Sequence, residues 1–185
     1  MVRIETERLR LRPFTMDDLE ALHACIYSSE AVMEYLPGGA GRPISRTEEV
    51  LAFFADHWQR HGFGCFAVED KASGELIGQC GLNLVPDTRR REVEIAFALA
   101  EAHWGRGLAT EAARAVLCWA FDEIRLDEVI GLAARDNSAG QRVLEKLGMR
   151  YSKDQTLYGM KVRRYQIHRS HFNPGGLIYH LYSER

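Results

Sequence analysis

The segment His103-Trp-Gly-Arg-Gly-Leu-Ala-Thr-Glu-Ala-Ala-Arg114 carries the clearest chemistry in this chain. Gly105 and Gly107 stand two apart and open a run in which Leu108, Ala109, Ala112, Ala113, Val116, Leu117, Ala120 and Phe121 recur at three-to-four spacing, the period of a helix. Immediately upstream, residues 92–99 read as a strand. A strand, a tight glycine turn and a helix start leave several backbone N–H groups unpaired and add the positive end of a helix dipole. That combination binds phosphate with backbone alone. Glycine suits it because a Cβ would crowd the phosphate oxygens and left-handed dihedrals cost it little.

Three phosphate sites have this outline. A nucleotide P-loop needs Lys followed by Ser or Thr after its second glycine, and Leu108-Ala109 stands there instead. A dinucleotide fingerprint needs Gly or Ala three residues on, where this chain has Thr110, and it needs repeated β-α units. The third fits: Trp104-Gly-Arg-Gly107-Leu-Ala109 resembles the Q/R-x-x-G-x-G/A pyrophosphate loop of the GNAT superfamily of acetyl-CoA-dependent N-acetyltransferases, in the W-G-x-G-x-A-T-E-A form of its Rim-type, ribosomal-protein branch. Residues Thr6 to Phe14 resemble that branch's T-x-R-L-x-L-R-x-F opening, and Asp136 to Met149 its N-x-x-S-x-R-V-L-E-K-L-G-F segment. A glycine-capped core helix is the bland alternative for Gly105 and Gly107; the matching order and spacing of the other two motifs weigh against it.

The resemblance implies an α+β fold with a mixed, mostly antiparallel central sheet flanked by about four helices. It implies acetyl-CoA as co-substrate, held by Trp104, Gly105, Arg106, Gly107, Leu108, Ala109 and Thr110 at the pyrophosphate. Phe97, Ala98 and Leu99 would pair their backbone, splayed by a bulge, with the pantetheine arm, leaving N–H groups to polarise the thioester carbonyl. Asn137 would touch the cofactor; its type and place also suit an N-cap, and both roles are compatible. Two positions depart from the family: Gly140 replaces a Ser, and Leu144 stands where many members carry a Tyr that protonates the leaving thiolate. The family's general acid therefore does not carry over.

An amine is protonated at neutral pH and must lose a proton to attack a thioester, so a carboxylate in the central strand is the expected general base. Glu94 is the candidate, since the resembling family often has a Glu there; Glu92 shares its face, and strand alternation alone does not separate them. The irregular loop from Tyr35 to Ile44, rich in Gly and Pro, is expected to wall the acceptor site, with Tyr35 binding substrate. The expected activity is transfer of acetyl to a primary amine by direct attack, the acceptor being a protein N-terminus or a small amine. A non-catalytic acyl-CoA-binding or sensing domain is the alternative.

The 185 residues suffice for one sizeable core, and no linker or repeat divides them, so a single domain over residues 1–185 is expected. A net charge of −2 leaves no nucleic-acid footprint, and Arg89-Arg90-Arg91 reads as a solvated loop tip. Cys25, Cys65, Cys80 and Cys118 form no C-x-x-C pair and read as free buried thiols of a reducing compartment. No apolar run is long enough to span a membrane, no signal peptide opens the chain, and the cytoplasm is the expected location. His57 and His61 lie four apart without a third ligand, so they read as polar-face histidines and no metal is expected.

A capping box of Thr15 and Asp18 predicts a first helix through Ile26, and Ser45 with Glu48 caps a second that stops at Gly62. Strands are expected near 8–12, 63–69, 76–85 and 128–134, a helix over 138–147, and two strands between 149 and 171. Residues 173–185 are either one more strand or an arm joining a homodimer.

Overall fold

The computed structural model describes residues 2–39, 41–85, 91–157 and 159–183. Among these residues nine strands form one sheet: β1 Val2–Glu5, β2 Leu9–Pro13, β3 Cys65–Asp70, β4 Leu76–Leu84, β5 Val93–Leu99, β6 Glu128–Ala134, β7 Arg150–Leu157, β8 Met160–His168 and β9 His180–Ser183. Their order is β7-β8-β6-β5-β4-β3-β2-β1-β9. Every pairing is antiparallel except β5 with β6. The expected α+β class and mixed, mostly antiparallel sheet are therefore present. Among the described residues five α-helices flank it, against the about four expected: α1 Leu19–Leu22, α2 Glu30–Met33, α3 Ile44–His61, α4 Leu108–Asp122 and α5 Ser138–Lys146.

The extra helix comes from the first helical region. The backbone N–H of Thr15 donates to Asp18 Oδ2 at 2.8 Å as the capping box requires. The chain then passes through a 3₁₀ turn, α1 and a π turn over His23–Tyr27 before α2 begins. A π turn sets each following side chain back relative to a regular helix. Here Leu22, Ile26 and Tyr27 are all buried. The second helix starts one residue earlier than its expected cap, after Pro43, with no side-chain cap. Gly62 closes it in a left-handed conformation.

One face of the sheet is dry. Helix α4 lies across it, buried on every side from Ala115 to Phe121, and Trp119, 2% exposed, meets Phe66 edge-on at 5.2 Å between ring centres. Leu82, Ile95, Leu99 and Val116 fill the same layer. The opposite face carries a smaller core made by α1, α2, α3 and the π turn over Cys65, Leu76 and Ala98. His57 departs from expectation: it is buried, not on a polar face. Its Nδ1 donates to the Phe63 carbonyl at 2.8 Å and its Nε2 accepts from the Leu84 N–H at 3.2 Å, tying α3 to β4. The C-terminal segment adds β9 antiparallel to β1, from Val2 opposite Ser183 to Glu5 opposite His180.

Candidate functional site

The glycine loop leaves β5 through a 3₁₀ turn, Glu101–His103, and enters α4. Gly105 and Gly107 take φ of 73° and 77°, left-handed conformations that side chains resist. A Cβ on Gly105 would meet nothing within 4 Å, and one on Gly107 only the Arg8 guanidinium at 3.8 Å, so the surface over both is open. Among the described residues, the backbone N–H groups of Gly105, Arg106, Gly107, Leu108, Ala109 and Thr110 donate to no protein acceptor. These are the donors expected of an anion site at a helix start. The Leu108 side chain, 2% exposed, belongs to the core, so only its backbone can serve a ligand.

Trp104 is not part of the core. It is 46% exposed, and its indole N–H donates to the Leu99 carbonyl at 2.7 Å, bracing the loop against the end of β5. A second brace comes from residues not singled out in the sequence. Arg8 Nη1 donates to the Arg106 carbonyl at 2.9 Å, and Arg8 Nη2 pairs with Glu111 Oε2 at 2.6 Å. Thr6 Oγ1 donates to Glu111 Oε1 at 2.6 Å. The T-x-R and T-E-A motifs contain all three residues, but only the fold reveals that they meet. A cleft of about 640 Å³ opens beside the loop, lined by Gly107, Thr110, Arg114, Lys71, Lys146 and His180 among others; Glu94 is not on its wall.

Strand β5 pairs with β4 over its whole length without a register shift. Ala98 turns its backbone toward Gln79 of β4, and the free backbone of Phe97 and Leu99 does not arise from a bulge. It arises because β5 and β6 pair only at Glu94 with Ile130 and Ile95 with Gly131, and then part. Beyond that point β6 continues paired to β8 as far as Ala134. A wedge opens between the two parallel strands, with unpaired β5 edge groups on one side and the glycine loop at its mouth. Gly131 and Leu144 explain each other. A Cβ at Gly131 would stand 2.6 Å from Leu144 Cδ2, and Leu144 is wholly buried in the dry core, so that position offers no proton donor to the wedge.

Glu94 sits one pairing behind the base of the wedge, opposite Ile130, and is 9% exposed. Among the described residues its carboxyl has neither hydrogen bond nor ion pair, and burial alone pushes its pKa up to about 8. Glu92 keeps different company: Arg164 Nη2 lies 2.6 Å from its Oε1, and that guanidinium side chain is 7% exposed. Glu92 has a buried cation as its partner, whereas Glu94 has none and is held largely in its neutral form by burial.

Asn137 caps α5, its Oδ1 accepting from the Gly140 N–H at 2.8 Å. A Cβ at Gly140 would come within 2.8 Å of Asn137 Nδ2, so glycine is what lets this cap close. Tyr35 is half-buried at the end of α2. The neighbouring Glu34 charge raises its phenol above the ordinary value, with a smaller effect from Asp136. In the loop that follows, Arg42 folds back onto the carbonyls of Pro37 and Gly38 at 2.9 and 3.2 Å; Ala40 lies outside the described residues, as do Arg89 and Arg90 of the arginine cluster. Burial pushes the Cys65 and Cys80 thiols upward, which keeps them out of nucleophilic chemistry. Among the described residues no three His, Cys, Asp or Glu side chains cluster to hold a metal ion.

Residues 8–150 match the Acetyltransferase (GNAT) domain family. The chain belongs to that family, and is an acyltransferase. It is 34% identical to the Bacillus subtilis (strain 168) protein YkkB over 82% of this chain and 87% of that one. It is 30% identical to the N-acetyltransferase YoaA of the same organism, over 78% and 81%. An acetyltransferase of the GNAT family from Bacillus anthracis superposes with a TM-score of 0.77 at 26% identity, covering 91% of this chain and 99% of its own. Among the described residues no helix is long and apolar enough to cross a membrane.

Proposed function

We propose that this protein transfers acetyl from acetyl-CoA to a primary amine by direct attack, with Glu94 as general base. The observation that carries the reading is one of adjacency: two parallel strands part, an unsatisfied row of backbone N–H groups stands at the mouth of the gap, and an unpaired buried carboxyl stands near its base.

The six free N–H groups from Gly105 to Thr110 suit the two charges of a pyrophosphate, with the α4 dipole adding to them. The β5 edge from Phe97 to Leu99 offers backbone partners to the amide-bearing pantetheine arm, and an N–H there can polarise the thioester carbonyl. One Leu99 carbonyl lone pair already holds the Trp104 indole, so Leu99 serves the arm through what remains. In this reading Asn137 touches the cofactor and Tyr35 the acceptor.

Glu94 takes one N–H proton from the attacking amine as the C–N bond forms. The electron pair of the C–S bond leaves on sulfur, which takes a proton from solvent in the absence of a Tyr at position 144. A carboxyl that titrates near 8 is a stronger base than an ordinary glutamate, and transfer should accelerate with rising pH until it is ionised. The acceptor is a protein N-terminus, as in the ribosomal-protein branch whose motifs the chain resembles, or a small amine such as a polyamine.

A thiol-release assay with acetyl-CoA against peptides with free N-termini and a panel of small amines tests the reading. Turnover that rises through pH 8 is expected. Acetyl-CoA binding with no thiol release on any amine would replace it with a non-catalytic acyl-CoA-binding role.

A further inference from the structure

The partner of Glu94 across the β4–β5 ladder is Asn83, and the two side chains share a face of the sheet. Directly opposed residues on antiparallel strands have Cβ atoms about 4.5–5.5 Å apart, within reach of one another for side chains of this length. Asn83 Oδ1 is buried and has no hydrogen-bond partner, one of two such side-chain atoms among the described residues. A buried acceptor left unpaired is costly, and native proteins rarely tolerate one without a use.

The other polar groups on this face are already engaged. Gln79, four residues earlier on β4, accepts from the Tyr27 hydroxyl at 3.0 Å. Arg164 on β8 holds Glu92 at 2.6 Å, lies 3.8 Å from Glu128, and donates to Ser152 at 3.2 Å and to Gln166. Ile130, next to Glu94 on β6, has no polar group to give. Among the described residues of this stretch, Glu94 and Asn83 are the two groups left over, and they face each other.

The geometry points to Asn83 as the positioning residue for the Glu94 carboxyl in both of its protonation states. The inference rests on the base role of Glu94 proposed above. A base that takes a proton and later gives it up needs a neighbour that can serve an acid and a carboxylate in turn. A primary amide is that neighbour: its oxygen accepts from the carboxylic acid, and after an amide flip its nitrogen donates to the carboxylate. Neither a hydroxyl too short to span the ladder nor a charged side chain would serve both states here.

Two variants and two readouts test this. Asn83→Asp places a second carboxyl beside Glu94, and like charges raise the upper titration; carboxyl-region infrared titration of the ligand-free protein should show it ~1 pH unit or more above that of the wild type. Asn83→Leu keeps the volume but loses both hydrogen-bonding roles; with a peptide bearing N-terminal alanine as acceptor, kcat should fall ~10-fold at unchanged KM for acetyl-CoA, and Asn83→Gln should recover part of it. A titration that stays in place in Asn83→Asp, or wild-type kcat in folded Asn83→Leu, overturns the inference. Absence of turnover in the wild type counts against the acetyl-transfer reading instead, and the infrared titration, which needs no acceptor, then decides the role of Asn83.

Discussion

The two faces of the central sheet are filled in opposite ways. Under α4, Trp119, Phe66, Leu82 and Ile95 close a layer in which every large side chain is apolar. On the other face, α1 to α3 cover only the end near Ala98, and the stretch toward Glu92 is polar: Asn83, Glu94, Glu92, Arg164 and Gln166. The dry face holds β5 and α4 in place so firmly that the turn between them can keep six donors unsatisfied. The polar face uses that rigidity to keep a carboxyl out of water without giving it a cation. Rigidity comes from one side and, in the proposed reading, reactivity from the other.

Glu94→Gln should break the contrast most severely. The amide keeps the shape but accepts no proton, so kcat should fall ~10²–10⁴-fold, while acetyl-CoA binding by calorimetry stays near wild type. Raising the pH should restore part of the rate, because more of the amine is already neutral; wild-type kcat with an unchanged pH profile would remove Glu94 from the mechanism. Trp119→Ala attacks the other face and should cost about 3–5 kcal/mol in urea unfolding, with any surviving folded fraction still active. A loss below 1 kcal/mol would mean that the dry layer is not what holds the site.

The same Glu94→Gln protein sharpens the comparison through stability. The folded carboxyl titrates near 8 and the unfolded one near 4.5, so the unfolded state binds fewer protons between those values. Wild-type stability should therefore fall as pH rises from about 4.5 to 8, and then level off relative to Gln. The expected result is a gap of a few kcal/mol in favour of Glu94→Gln at pH 8, vanishing near pH 4. A gap that is the same at both pH values would show Glu94 to be solvated.

At the loop, Gly107→Asp brings a negative charge to the open anion site and should weaken acetyl-CoA at least ~10-fold. Gly107→Asn, which tolerates the left-handed backbone without the charge, should lose less; equal losses would point to backbone strain and not to phosphate. Smallest of all, Tyr35→Phe should raise the KM for amine about a few-fold, the value of one neutral hydrogen bond, and leave that for acetyl-CoA alone. A matched rise in both would place Tyr35 on the cofactor.

The local signals were legible and the long-range ones were not. Gly105 and Gly107 announced a turn and a helix start because backbone dihedrals and helix period are properties of neighbouring residues. Residues 128–134 read as a strand with the bounds that β6 has. Strand β1 did not stand out: four residues of mixed polarity become a strand only because β2 and β9 pair with them on either side. His57 looked like a surface histidine until Phe63 and Leu84 supplied a carbonyl and an N–H to its two ring nitrogens.

Glu92 and Glu94 divide the two kinds of information most cleanly. Two carboxylates of the same type, two residues apart on one strand, were all the sequence by itself determined, together with the glycine loop that follows them. Which of them has a cation for a partner was decided by Arg164, 72 residues from Glu92, and which lies beside an opening by the parting of β5 from β6. Side-chain alternation is a local consequence of backbone geometry, but a carboxyl's affinity for a proton depends on the charges and water that the whole fold leaves around it.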